Sequence, residues 1–139
     1  MLFPIFTRYA TGLDAKDWDV WSTCFTPDAF IDYTAAGGIK GTVTEVRQWL
    51  AQVMAGFPVT QHLITNRAVP IDGDAATCRS CLFNPMGVPD NGGLMFFFEC
   101  GYYRDKLVRT AGGWRIAERI EEPTVSTRRH RLMLRPFEV

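Results

Sequence analysis

Residues 59–120 read VTQHLITNRAVPIDGDAATCRSCLFNPMGVPDNGGLMFFFECGYYRDKLVRTAGGWRIAERI, and this stretch decides the fold. It is rich in β-branched and aromatic residues and alternates in character over long runs, the pattern of half-buried strands. Three clusters interrupt it: Asp72-Gly73-Asp74, the segment from Asn84 to Gly93, and Ala111-Gly112-Gly113. Each carries the Gly, Asp, Asn or Pro that a chain reversal needs, so the strands are expected to join as hairpins, with Asn84 to Gly93 as a loop.

Upstream of Val59 the period changes. Phe3 to Leu13 reads as a short helix, and Ala15 to Phe25 as a second, with Trp18, Trp21 and Phe25 at spacings of three and four on one face. Pro27-Asp28 stops it. A short strand is expected from Ala29 to Thr34, then the Gly37-Gly38 turn. Thr42 is placed to cap a third helix whose apolar stripe is Val43, Val46, Leu50 and Val53, closed by Gly56 and Pro58. Helices followed by a run of strands give an α+β architecture: a cone-shaped barrel of strongly curved antiparallel sheet, covered by three N-terminal helices. Such a sheet, lined with Phe and Tyr, encloses a pocket for a small apolar ligand.

Composition narrows the function classes. At 139 residues, 47% hydrophobic and 22% charged, the chain suits one domain over residues 1–139, with a tail from residue 126. Fifteen basic residues balance fifteen acidic ones, so no global field attracts nucleic acid or an anionic membrane, and neither is an expected partner. Apolar runs such as Gly93 to Phe98 fall short of the roughly 20 residues that span a bilayer. Met1 to Phe6 lacks the features of a secretion signal, which makes the cytoplasm the expected compartment. Four cysteines are present, and Cys78-Arg79-Ser80-Cys81 matches C-x-x-C. On a strand, residues three apart point to opposite faces, so redox and zinc roles are not expected. No Walker loop, dinucleotide fingerprint, nucleophile elbow or metal-ligand spacing occurs, so neither a cofactor nor a metal is implied.

With two histidines in the chain, imidazole chemistry is quickly located. His130 lies in the basic run Arg128-Arg129-His130-Arg131, which suits a surface or subunit contact. His62 lies in an alternating strand and shares a face with Ile64 and Asn66, which fits either a hydrogen-bonded structural histidine or a pocket base. Asp14, Asp17 and Asp19 flank the junction of the first two helices, where capping is the default reading. A buried aspartate bonded to one imidazole nitrogen would instead fix the tautomer and leave the other nitrogen free to remove a proton.

Leu13-Asp14-Ala15-Lys16-Asp17-Trp18-Asp19, then Ile31-Asp32-Tyr33, then Gln61-His62, resembles the motif order of scytalone dehydratase and its SnoaL-like relatives. The segment Gly113 to Arg119 resembles their final strand, so the likeness covers most of the chain. In those relatives, including bile-acid dehydratase and hexachlorocyclohexane dehydrochlorinase, an aspartate after the first helix and a strand histidine form the catalytic pair. The resemblance implies Asp14 and His62 for that pair and Tyr33 for the tyrosine that holds a polarising water. Tyr9, five residues before Asp14, falls where the bile-acid enzyme also has a tyrosine; it reads either as a proton donor or as a packing residue. Arg119 matches an arginine of the dehydrochlorinase, although strict alternation sets it opposite Trp114 and Ile116. Leu13 departs from a tyrosine of scytalone dehydratase. That enzyme's second histidine has no counterpart in Cys100-Gly101-Tyr102-Tyr103.

These features imply a cofactor-independent lyase acting on a small apolar cyclic substrate, with Asp14 and His62 as the base and Tyr33 or Tyr9 assisting the leaving group. Arg119, Trp18, Asn66 and Phe97 are the candidate substrate contacts. An isomerase would use the same residues. A binding module, or a small subunit of a ring-hydroxylating dioxygenase, would not need the pair. Leu132, Leu134 and Phe137 among the arginines of the tail suit docking on the domain or on a neighbour, and relatives of this kind are often dimers or trimers.

Overall fold

Helix α1, Pro4–Asp14, buries Ile5, Phe6, Tyr9 and Leu13 along one face. It ends without a glycine. Lys16 takes the left-handed conformation, φ 56°, its N–H reaching Leu13 and that of Asp17 reaching Gly12, which is the Schellman closure. This closure delays the second helix. In the computed structural model, which describes residues 4–126, α2 is only Trp18–Ser22, capped by Asp17, whereas the spacing predicts a helix from Ala15 to Phe25. A side chain at Gly12 would meet the backbone nitrogen of Trp21 at 2.9 Å, so glycine there permits the close return.

Phe25 belongs to strand β1, Phe25–Asp32, which runs through Pro27 and Asp28. The two residues lie in a register shift between Phe25 and Phe30, and bulges tolerate proline. β2, Lys40–Thr42, leads into α3, Val43–Met54. Thr42 and Glu45 form a reciprocal capping box at the start of α3. Thr42→Ala is expected to cost about 1 kcal/mol in chemical denaturation, and an unchanged midpoint would show that packing alone holds this end. Val46, Leu50 and Met54 are buried, while Val53 of the expected stripe is 36% exposed.

The remaining strands are β3 (Val59–Thr60), β4 (Leu63–Ala68), β5 (Ile71–Asp72), β6 (Ala75–Asp90), β7 (Gly93–Thr110) and β8 (Gly113–Ser126). They build one sheet in the order β2-β1-β8-β7-β6-β3, with β4 and β5 also paired to β6. Neighbours are antiparallel except β1 and β8, which are parallel; they are remote in sequence, so no hairpin fixes their sense. The expected loop from Asn84 to Gly93 is instead strand, with the reversal confined to Asn91-Gly92. Pro85 is tolerated because its carbonyl, and hence the side with the missing N–H, faces Gln61 rather than the β7 ladder. Alternation puts Pro89 on that same side, beyond the end of β3.

Cys78 and Cys81 sit in β6 with the first buried and the second partly exposed, as parity requires, and both are free thiols. Side chains from α1, α2 and α3 meet Ile31, Ile64, Leu82, Tyr103, Leu107 and Ile116 of the sheet in one core. Among the described residues no helix is long and apolar enough to cross a membrane. The tail residues Arg128 to Val139, with His130, lie outside the described residues.

Candidate active site

His62 lies between β3 and β4, directly across from Asn84 in the register that pairs Thr60 with Met86 and Leu63 with Phe83. Its backbone N–H points off the edge of the sheet, where the Asp14 carboxylate accepts it, Oδ2 at 2.9 Å. The other carboxylate oxygen, Oδ1, stands 2.6 Å from the ring Nδ1 of His62. Thr60 Oγ1 also donates to Oδ1, at 3.3 Å. Asp14 can reach this edge because it is the last residue of α1, held by the Lys16 closure. One carboxylate thus satisfies a sheet-edge donor and fixes the imidazole in orientation. A carboxylate at Nδ1 demands a hydrogen there, which leaves Nε2 as the lone-pair nitrogen of the neutral ring.

The His62 side chain is only 6% exposed, and it forms part of a cavity of about 220 Å³, open to solvent on one side, that α1, α3 and the inner face of the sheet line. At Nε2 it meets the side-chain amide of Asn84, Nδ2 at 3.0 Å. Asn84 is buried, and it was invisible to sequence reasoning because its segment reads as a loop. Only the continuous register of β6 reveals it.

Apolar walls come from Leu13, Trp49, Leu50, Met54, Phe57 and Phe97. Away from His62, three tyrosines converge: Tyr9 and Tyr33 share a hydrogen bond of 2.7 Å, and Tyr9 donates to Tyr103 at 3.4 Å. Burial pushes the Tyr33 and Tyr103 hydroxyls well above their ordinary range. They therefore keep their protons and act as hydrogen-bonding groups. Glu99 and Glu121 also line the cavity. Burial raises Glu99, while burial and the neighbouring Glu99 push Glu121 up to about 8.

Of the residues expected to touch substrate, Phe97 lines the cavity and the other three do not. Trp18 packs half-buried against the core. Asn66 is exposed, with φ 46° inside a register shift of β4, so it does not follow the face of His62. Arg119 is fully buried behind the tyrosines. Its Nε and Nη2 each bond Asp105 at 2.7 Å, and its guanidinium lies 4.0 Å and 4.1 Å from the ring centroids of Tyr9 and Tyr103. Strict alternation misleads here because Ala117 is an extra residue in the register, Lys106 pairing with Glu118 and Leu107 with Ile116. The bulge brings Arg119 and Glu121 to the same buried face as Trp114 and Ile116. Asp17 caps α2 and Asp19 pairs with Arg47 on the surface, leaving Asp14 as the carboxylate at His62. Among the described residues no cluster of His, Cys, Asp or Glu could hold a metal ion.

Helices closed over a curled sheet, with a polar-ended apolar cavity inside, define the cystatin-like cone of NTF2-like proteins. Within that class the chain belongs to the SnoaL-like domain family, which it matches over residues 5–120. It is 44% identical over 114 residues to the uncharacterized protein Rv2910c of Mycobacterium tuberculosis, covering 81% of this chain and 76% of that one. The crystal structure of the Kfla4162 protein of Kribbella flavida superposes with a TM-score of 0.80 at 26% identity, covering 89% and 88% of the two chains. A type 2 hexachlorocyclohexane dehydrochlorinase shares the fold, with a TM-score of 0.79 at 15% identity over 97% and 90% of the chains.

Proposed function

We propose that this protein is a cofactor-independent lyase that eliminates a hydroxyl or related group from a small, apolar, cyclic substrate. The observation that carries the reading is the 2.6 Å contact between Asp14 and His62 Nδ1 at the wall of a largely apolar cavity. Nε2 removes the proton from a carbon acidified by an adjacent carbonyl, the electron pair becomes the new double bond, and the group on the next carbon leaves. Asp14 stabilises the imidazolium so formed. Protonation makes Nε2 a donor, and Asn84 then has to present its oxygen in place of its amide nitrogen, a half-turn of its side chain. The tyrosine hydroxyls hold the substrate oxygen. A cavity of about 220 Å³ admits a small ring system and is below the ~300–1,000 Å³ of drug-sized sites.

A binding module is the competing reading, favoured by one observation: Asn84 already occupies Nε2 at 3.0 Å. The test is turnover of a panel of cyclic β-hydroxy ketones, followed by absorbance of the conjugated product. Asp14→Asn is expected to lower kcat at least about tenfold with little change in ketone binding. Binding without turnover across the panel would favour the module. Proton exchange beside the carbonyl without loss of the hydroxyl would point to an isomerase of the same pocket.

A further inference from the structure

Glu121 stands out among the buried polar groups that the Asp14–His62 chemistry does not use. It is 7% exposed, it lines the cavity, and no side chain among the described residues bonds to it. An unpaired carboxylate in such a place is costly, whereas a neutral carboxyl offers an O–H donor to whatever fills the cavity. Glu99, facing it from β7, reinforces the neutral form, and Arg119, on β8 itself, opposes it. The neutral hydroxyls of Tyr103, on β7, and Tyr33, just after β1, also face it. That arginine is already engaged by both oxygens of Asp105. α3 adds Trp49, Leu50 and Val53 to the cavity, none of which titrates, and α1 adds the Tyr9 hydroxyl, already bonded to Tyr33.

The register places this carboxyl relative to the base. Across the inner face, His62 is opposite Asn84, Asn84 is opposite Glu99, and Glu121 is opposite Tyr103, two positions from Gly101 and four from Glu99 along β7. His62 and Glu121 are therefore three strand spacings apart across the sheet and four residues apart along it, roughly 20 Å on a flat sheet, and curvature brings both to one cavity. One end of the cavity is a base and the other an acid.

We propose that Glu121, with Glu99 beside it, is the proton donor of this cavity, and that the ligand is a neutral ring presenting a carbonyl or hydroxyl oxygen to it rather than an amine. In the elimination proposed above, on which the catalytic part of this inference rests, the carbon–oxygen bond breaks as the Glu121 proton passes to the departing oxygen. Water leaves, Glu121 is left as carboxylate, and His62 holds the proton taken from carbon. Exchange with solvent returns both groups to their starting states. The tyrosines are poorer donors for this step because burial raises Tyr33 and Tyr103 still further from neutrality.

The test is a carbon-detected NMR titration of the glutamate side chains in the wild type, Glu121→Gln and Glu99→Gln, together with binding of indanone. A glutamate signal titrating near 8 should be present in the wild type, vanish in Glu121→Gln and move to lower pH in Glu99→Gln. Indanone affinity should fall about tenfold between about pH 6.5 and about pH 9 in the wild type, as the neutral carboxyl is lost, and stay flat in Glu121→Gln, whose amide still donates. No glutamate titrating above about pH 6, or aminoindane as its ammonium binding more tightly than indanone, would overturn the proposal. His62→Ala is expected to leave titration and ketone binding intact, so failure of the elimination reading and failure of this one are told apart.

Discussion

Asp105→Ala is expected to destabilise the protein by about 3–5 kcal/mol, the range for stranding one member of a buried ion pair. Asp105 and Arg119 are each fully buried, and the Arg119 Nη1 atom has no hydrogen-bond partner among the described residues. The pair of bonds to Asp105 and the two tyrosine ring faces are what compensate its charge. Removing the carboxylate leaves a guanidinium with only those rings. Arg119→Met should be comparably damaging, because it strands the carboxylate. The double variant Arg119→Met, Asp105→Leu should recover most of the loss, since a packed apolar pair of similar volume avoids desolvation altogether. Urea denaturation of the three variants tests this, and singles within about 1 kcal/mol of wild type would show that water reaches the pair. The double variant should also bind ring ketones less tightly even where it is stable, because Arg119 braces Tyr9 and Tyr103 from behind the cavity wall.

The architecture was legible because its signals are local. The change of period at Val59, the Thr42 cap and the glycine-bearing turns each depend on a few adjacent residues, and the cone follows from their order. Errors arose where a long-range partner decided the outcome. Pro85 and Pro89 look like loop residues until β7 is known to lie on their intact side. Lys16 ends α1 in a conformation that sequence assigns to glycine. Ala117 shifts the parity of β8, and with it the direction of Arg119 and Glu121. For the site, the order of Asp14, Tyr33 and His62 was readable through the family resemblance, but the contact between Asp14 and His62 depends on the closure of α1 against a sheet edge. Asn84 and Glu121 left no signal of their own. They become visible only when the register places them on the inner face.

His62→Ala is expected to lower the rate of elimination by about 10²–10⁴, the contribution of a positioned general base. The fold should survive, because the Asp14 carboxylate keeps its backbone bond at residue 62 and its bond from Thr60. The loss should appear in kcat rather than in ketone affinity, since the apolar walls and the tyrosine hydroxyls are untouched. His62→Gln sharpens the point: its amide can accept the Asn84 bond but cannot hold a transferred proton, so it should be as slow as alanine. Asn84→Ala separates the two readings of the Nε2 contact. If Asn84 steadies the base, its loss lowers kcat together with ketone affinity. If it seals a noncatalytic pocket, its loss frees Nε2 and proton exchange beside a bound carbonyl should rise, measured as deuterium uptake by the ketone. A rise would mean the imidazole is competent but withheld from chemistry in the intact protein.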